Sequence, residues 1–127
     1  MIVVVAAVIE DNRRFFLTRR QAGVHLAGMW EFPGGKIDAD ESHGPALKRE
    51  IREELGVEVD VGDLVYETTH AYPDRTLTLY FYRCNLIGRP QPRLGQEMRW
   101  VPRAELRSLS FPTADAELID LLTAETD

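Results

Sequence analysis

The chain has 127 residues, 44% of them apolar and 28% charged, the size and composition of one globular domain over residues 1–127 with a single core. Its formal net charge of −6 excludes a protein that grips a nucleic acid polymer by its backbone, because such binding requires a basic excess. One cysteine excludes a disulfide framework and points to a reducing cytoplasm, and no apolar run is long enough to cross a membrane.

In chain order, MIVVVAAVIEDNRR lacks a basic leader, and its apolar run stops at Glu10 and Asp11, so it reads as a first strand over 2–9 rather than a signal peptide. A polar turn at Asp11-Asn12 and a strand over 14–19 complete a hairpin, and a loop leads through EFPGG to a helix. Leu47, Ile51 and Leu55 recur every four residues as the apolar stripe of that helix. Ser42 stands at its N-cap, Pro45 falls in the first turn where a missing N–H matters little, and Gly56 suits the left-handed terminus, which predicts a helix over 43–55.

Alternation in VEVDV and LVYETTHAY predicts strands within 57–72, and Pro73-Asp74 marks a turn into a strand over 76–85. EMRWV at 97–101 reads as another strand, PRAELRSL as a short helical turn, and Asp115 to Ala124 as a terminal helix with Leu118, Ile119, Leu121 and Leu122 on its apolar side. Cys84, in the run LTLYFYRCNL, reads as a buried strand residue, and Trp30, Phe32, Tyr80 and Trp100 as core aromatics. The elements describe an α/β protein, a mixed sheet flanked by helices.

Residues 35 to 57 carry the strongest chemical signal. They fit G-x5-E-x7-R-E-U-x-E-E-x-G-U, where U is a bulky aliphatic residue, through Gly35, Glu41, Arg49, Glu50, Ile51, Glu53, Glu54, Gly56 and Val57. Seven fixed residues and two aliphatic ones at those intervals arise by accident about once in a billion windows. On the helix, Glu50, Glu53 and Glu54 stand at i, i+3 and i+4, so three carboxylates crowd one face beside the buried stripe. Each like-charged pair costs about 0.2–0.5 kcal/mol, and an all-oxygen cluster suits a hard cation, Mg²⁺ or Mn²⁺ rather than zinc. Arg49, one turn before Glu53, is placed to pair with it, and Glu41 to hold Arg49. An acidic trio on an arbitrary helix is usually a solvated face; the flanking glycines and fixed intervals argue for a site.

The segment resembles a complete Nudix box, and the chain resembles a MutT-type Nudix hydrolase, with further similarity in FLTRRQAGVHLAGMWEFPGGK, YPDRTLTLYFY and FPTADAELIDLL. The resemblance implies the Nudix-fold α/β/α sandwich and cleavage of a nucleoside triphosphate by water to a monophosphate and pyrophosphate, with two or more Mg²⁺ ions neutralising the polyphosphate. Carried over by position, Glu50, Glu53 and Glu54 become metal ligands together with the carbonyl of Gly34, and Glu97 in LGQEMRWV completes the site. Arg49 and Glu53 join Glu50 and Glu97 as catalytic residues, with Glu50 and Glu97 both open as general base. Without the resemblance, Glu97 reads as an exposed loop acid.

Substrate choice rests on residues outside the box. In MutT-type enzymes acting on oxidised guanine nucleotides, an Asn in the segment matching FPTAD reads the base; here Asp115 stands there, and an ionised Asp only accepts hydrogen bonds. Asp115 also fits a helix start where an acid meets the dipole, with Thr113 as cap. By resemblance Arg19 and Arg75 contact substrate and His25 lines the pocket, although a pair of arginines beside a strand or a loop histidine is commonly solvated; His43 and His70 offer no metal-ligand spacing with His25. The expectation is a house-cleaning enzyme of the nucleotide pool for 8-oxo-dGTP, serving DNA repair. CTP, dCTP or 5-methyl-dCTP follow, then ADP-ribose or dinucleoside polyphosphates, for which Tyr72 and Pro73 offer an ambiguous marker. A silent nucleotide sensor ranks last, because the box carboxylates are all retained. The partner is a small nucleotide, with no membrane, and the protein is a monomer or homodimer.

Overall fold

The computed structural model describes residues 2–24 and 26–124. Its centre is the run IVVVAAVIED, strand β1 (Ile2–Asp11). Val5, Ala7 and Ile9 point to one side of the sheet and Ala6 and Val8 to the other, all buried, so the run shows no polar alternation because both faces are covered. β1 turns into β2 (Arg14–Arg19) through Asn12 and Arg13, at φ 52° and 63°. Two positive-φ residues make the tight hairpin whose twist matches the strands. The turn therefore sits one residue later than Asp11-Asn12, because Asp11 still pairs with Arg14.

Short strands β3 (Trp30–Glu31) and β4 (Gly34–Lys36) follow, then α1 (His43–Leu55), β5 (Glu58–Tyr72), β6 (Arg75–Ile87) and β7 (Met98–Pro102). The main sheet runs β3-β2-β1-β6-β5, with β4 on β1 and β7 on β2. β1 and β6 are parallel from Ile2 opposite Leu77 to Ile9 opposite Cys84, and the other pairs are antiparallel. A 3₁₀ turn at Arg103–Ser108, another at Thr113–Asp115, and α2 (Ala116–Ala124) close the described chain. Among the described residues no helix is long and apolar enough to cross a membrane.

One face of the sheet is covered by α1 through Ala46, Leu47, Ile51 and Leu55, packed on Val5, Ala7, Phe16 and Cys84. The other is covered by α2 and the 3₁₀ turn before it, with Leu106, Leu118, Ile119 and Leu122 on Ala6, Val8, Phe15, Leu17 and Phe81. This is the α/β/α sandwich expected. Leu47, Ile51 and Leu55 are fully buried, so each stabilises the fold by about 1.5–3 kcal/mol and anchors α1 against rotation.

The helix over 43–55 appears as read, with Gly56 in the left-handed conformation at φ 67° and its N–H on the Arg52 carbonyl. Ser42 caps by position only, with no side-chain hydrogen bond. The region 57–72 is one long strand bent by irregularities between Val61 and Tyr66, where Gly62 admits the Arg83 carbonyl. Leu121 is solvent-exposed rather than part of the apolar side of α2, and Trp100 packs edge-on against Phe16 with one side exposed instead of entering the core. Thr113 opens its 3₁₀ turn, whose cap position is Pro112, with no side-chain cap bond.

Candidate active site

Arg49 is the hub of the motif segment. Its Nε and Nη2 donate to the two carboxylate oxygens of Glu41 at 2.7 and 2.8 Å, a forked pair that fixes the guanidinium plane. From there Nη1 donates to Glu50 at 3.0 Å and to Glu53 at 3.3 Å, and Nη2 to the Lys36 carbonyl at 3.1 Å. The Asp38 N–H donates back to Glu41 at 2.8 Å, so loop 37–42 and the helix are tied through one arginine. The sequence intervals contribute because Arg49 and Glu53 stand at i, i+4 and Glu50 and Glu53 at i, i+3, so Glu53 lies one turn from both.

β4 approaches that face edge-on, and its glycines are needed for contact. A Cβ on Gly35 would collide with the Glu50 carboxylate, and one on Gly34 with the Val5 carbonyl of the paired strand. The Gly34 N–H donates to the Glu54 carboxylate. Burial is the main force raising the Glu50 carboxyl above the ordinary carboxylate range, with Arg49 opposing it and Glu53 and Asp38 adding to it. Glu54 is pushed up to about 8, first by burial and then by the negative charges of Glu31 and Glu50. Glu53 is 59% exposed. The cluster thus concentrates negative charge that the protein's own cations only partly balance.

Among the described residues no three acidic, histidine or cysteine side chains converge tightly enough to cage an ion by themselves. Glu50, Glu53 and Glu54 stand together on α1, whereas Glu97 belongs to the loop before β7, half-exposed and paired with Arg19 at 3.3 Å. Glu97 does reach the helix through its loop. The buried Gln96 amide donates to the Glu54 carbonyl at 3.0 Å, and the Arg93 N–H donates to the same carbonyl at 3.1 Å.

On the α2 face, near β4, lies a cavity of about 270 Å³. The sheet supplies an apolar floor from Ala6, Leu79 and Phe81, and Tyr72, Arg75, Phe32 and Asp115 close its sides. Asp115 is only 4% exposed, and its carboxyl has no hydrogen-bond partner among the described residues. Burial first, and the charge of Glu31 second, push it up to about 7. That is not a solvated helix-dipole acid.

Of the substrate residues read from sequence, Arg75 and Asp115 reach this cavity. Arg19 does not: it projects past Trp30, donates to the Gly28 carbonyl and to Glu97, and borders a second cleft of about 220 Å³. His25 lies outside the described residues.

Two residues at the junction went unread. Arg20 and Glu31, joined at 2.9 Å, line both the cavity and the second cleft, where they meet Glu54. Burial raises the Glu31 carboxyl against the opposing pull of Arg20. A readable signal for Glu31 was its place between Trp30 and Phe32, two aromatics expected in the core.

Residues 4–121 match the model of the NUDIX domain. The chain is 41% identical to the 8-oxo-dGTP diphosphatase of Haemophilus influenzae over 98% of its own length and 94% of that protein's. It is 39% identical to the CTP pyrophosphohydrolase of Escherichia coli over 93% of this chain and 87% of the relative. The solution structure of the E. coli ORF135 protein superposes with a TM-score of 0.86 at 37% identity, covering 98% of this chain and 89% of the other.

Proposed function

This chain belongs to the NUDIX domain family and is a pyrophosphohydrolase, and from that premise we propose that it hydrolyses a nucleoside triphosphate to a monophosphate and pyrophosphate, with 8-oxo-dGTP as first substrate. The observation that carries the reading is the junction at Arg20 and Glu31, where a base-sized cavity ending in Asp115 meets the cleft bordered by Glu54. A nucleotide lying across it has its base against Phe32 and Asp115 and its phosphates towards the carboxylates of α1. Relatives acting on 8-oxo-dGTP and on CTP, aligned over nearly the whole chain, support the same reaction class.

The donors fit a divalent cation. They are all oxygen, and the Glu54 carboxyl, driven up to about 8 partly by like charge, is a group that a dication would return to its ionised form. Glu50, Glu53 and Glu54 with the Gly34 carbonyl would hold the ions, and Glu97 would join them from its loop. Two or more Mg²⁺ ions, or Mn²⁺ in their place, supply neutralisation of the polyphosphate charge when bound.

Arg49 keeps Glu50 and Glu53 in fixed rotamers, which places the ligand oxygens before substrate arrives. We assign the general base to Glu50: its carboxyl is desolvated, and that burial raises it above the ordinary carboxylate range. Arg20 and Arg75 face the sugar and phosphate from the cavity wall.

A cytosine nucleotide is the second reading, favoured by Asp115 itself. Protonated, the carboxyl both donates and accepts, which complements N3 and the N4 amine of cytosine; ionised, it only accepts, as the N1–H and N2 amine of guanine require, and a pKa of about 7 leaves both forms populated at neutral pH. The deciding experiment measures pyrophosphate release with Mg²⁺ across ordinary, oxidised and methylated triphosphates, ADP-ribose and dinucleoside polyphosphates. Turnover of a triphosphate, led by 8-oxo-dGTP, is expected. A profile led by cytosine nucleotides selects the second reading, and no turnover at all ends both.

A further inference from the structure

Among the described residues four that are not glycine hold a positive φ: Asn12 at 52°, Arg13 at 63°, Leu26 at 59° and Asp40 at 70°. Three have local reasons. Asn12 and Arg13 form the tight β1–β2 hairpin, and Asp40 has the short polar side chain that tolerates the left-handed region. Leu26 has neither. It is a γ-branched apolar residue in the loop between β2 and β3, with no polar side-chain atom to offset the conformation, and its carbonyl accepts a long 3.3 Å bond from the Met29 N–H. Glycine would occupy this φ freely, and the same loop already uses glycine at positions 23 and 28, at φ 87° and 83°.

The strain coincides with a place in the cavity. Leu26 is half-buried and lines the same 270 Å³ space as Asp115, Phe32 and Tyr72, as an apolar wall supplied by a loop rather than by the sheet. A backbone held in a sparsely populated region persists where the surroundings demand that side chain there, and such sites cluster around bound ligands. The chemistry demands an apolar wall. Asp115 can discriminate between base edges only if water cannot replace the hydrogen bonds that a wrong base leaves unmade.

We propose that Leu26 is a specificity-determining residue, its strained backbone aiming an apolar side chain onto the nucleobase and shutting water out of the hydrogen bonds read by Asp115. The assignment rests on the cavity being the nucleobase site.

The test combines Leu26→Gly and Leu26→Asn, both compatible with the left-handed backbone and both lacking the apolar wall. For each, kcat/KM is measured for the preferred base and for its poorest accepted competitor, together with Tm. The expected result is a Tm at or above that of the wild type with at least a tenfold fall in the ratio of the two kcat/KM values, carried mainly by a higher KM for the preferred base. An unchanged ratio in either variant overturns the proposal, since Leu26→Asn keeps a side chain while Leu26→Gly frees the backbone and only loss of the wall is common to both. A lower Tm with an unchanged ratio makes Leu26 a structural residue. A wild-type enzyme that turns over no nucleoside triphosphate overturns the functional reading instead, and this assignment with it.

Discussion

Between Gly34 and Gly56 the groups gathered around Arg49 come from one short stretch of chain, ordered by helical intervals and two glycines. The cavity ending at Asp115 takes its walls from β1, the stretch from the loop after β2 through β3 to β4, the turn joining β5 to β6 with β6 itself, and the segment before α2, so its lining is spread over most of the chain. The first region carries dense charge tied through one arginine, Glu41 to Arg49 to Glu50 and Glu53; the second is largely apolar with one buried acid lacking a hydrogen-bond partner among the described residues. A reaction common to many substrates can be encoded locally, because it needs only carboxylates in register, whereas choosing a base requires surfaces that only folding brings together. The two regions meet at Gly34 and Gly35, which also line the cavity, and across Arg20 and Glu31, which join it to the cleft bordered by Glu54.

If that division holds, changes in the box should lower turnover for every substrate alike. Glu53→Gln keeps shape and removes charge; turnover should fall by well over about 100-fold with the melting temperature nearly unchanged, since even residues that only support metal ligands cost roughly 10–100-fold. Near-normal kcat in this variant would remove Glu53 from the proposed ligands. Arg49→Lys cannot reproduce the fork to Glu41 while also reaching Glu50 and Glu53, so kcat should drop by about 10–100-fold and the Mg²⁺ requirement should rise. A loss with no shift in the Mg²⁺ titration would separate Arg49 from placing the carboxylates.

Changes at the junction and the cavity should act on affinity and selection. Arg20→Ala should raise KM by roughly tenfold, the cost of about one charge-assisted contact, while Arg19→Ala leaves KM within about twofold because Arg19 faces Glu97 and Trp30. The reverse pattern would restore Arg19 as the substrate arginine. Asp115→Asn should reorder the base preference without touching the metal requirement.

Asp115 also gives a stability test in the absence of nucleotide. Its folded pKa is raised to about 7 from an ordinary 3.8, so the folded state holds a proton that the unfolded chain releases, and wild-type stability is lost as pH rises through that window. Asp115→Asn should therefore gain on the order of 1–3 kcal/mol over wild type at pH 8 and little or nothing at pH 4, read from denaturant midpoints at both values. An equal difference at the two pH values would mean that Asp115 does not keep its proton.

Helix boundaries, hairpin and the Arg49 network were legible because each depends on short-range intervals: four-residue recurrence for Leu47, Ile51 and Leu55, and i to i+4 spacing for Arg49 and Glu53. Arg75 and Asp115, which line the cavity, are read by likeness to a family rather than by pattern, and Arg19 borders the second cleft where Arg20 borders both, because adjacent residues at a strand end point to opposite sides. Leu121 and Trp100 misled for a related reason, since apolar character does not say which apolar residues the sheet has room to cover.

The amino-acid order by itself determined a mixed sheet flanked by helices and the cluster of carboxylates on α1, because local periodicity and fixed intervals carry both, and the likeness to the Nudix family supplied the sandwich. Only the tertiary structure decided that β1 is buried on both faces, that Glu97 pairs with Arg19, and that Asp115 is buried in the cavity wall with its carboxyl pushed up to about 7. Those outcomes depend on which distant segments exclude solvent from one another, and burial is a property of the assembled chain that no single stretch contains.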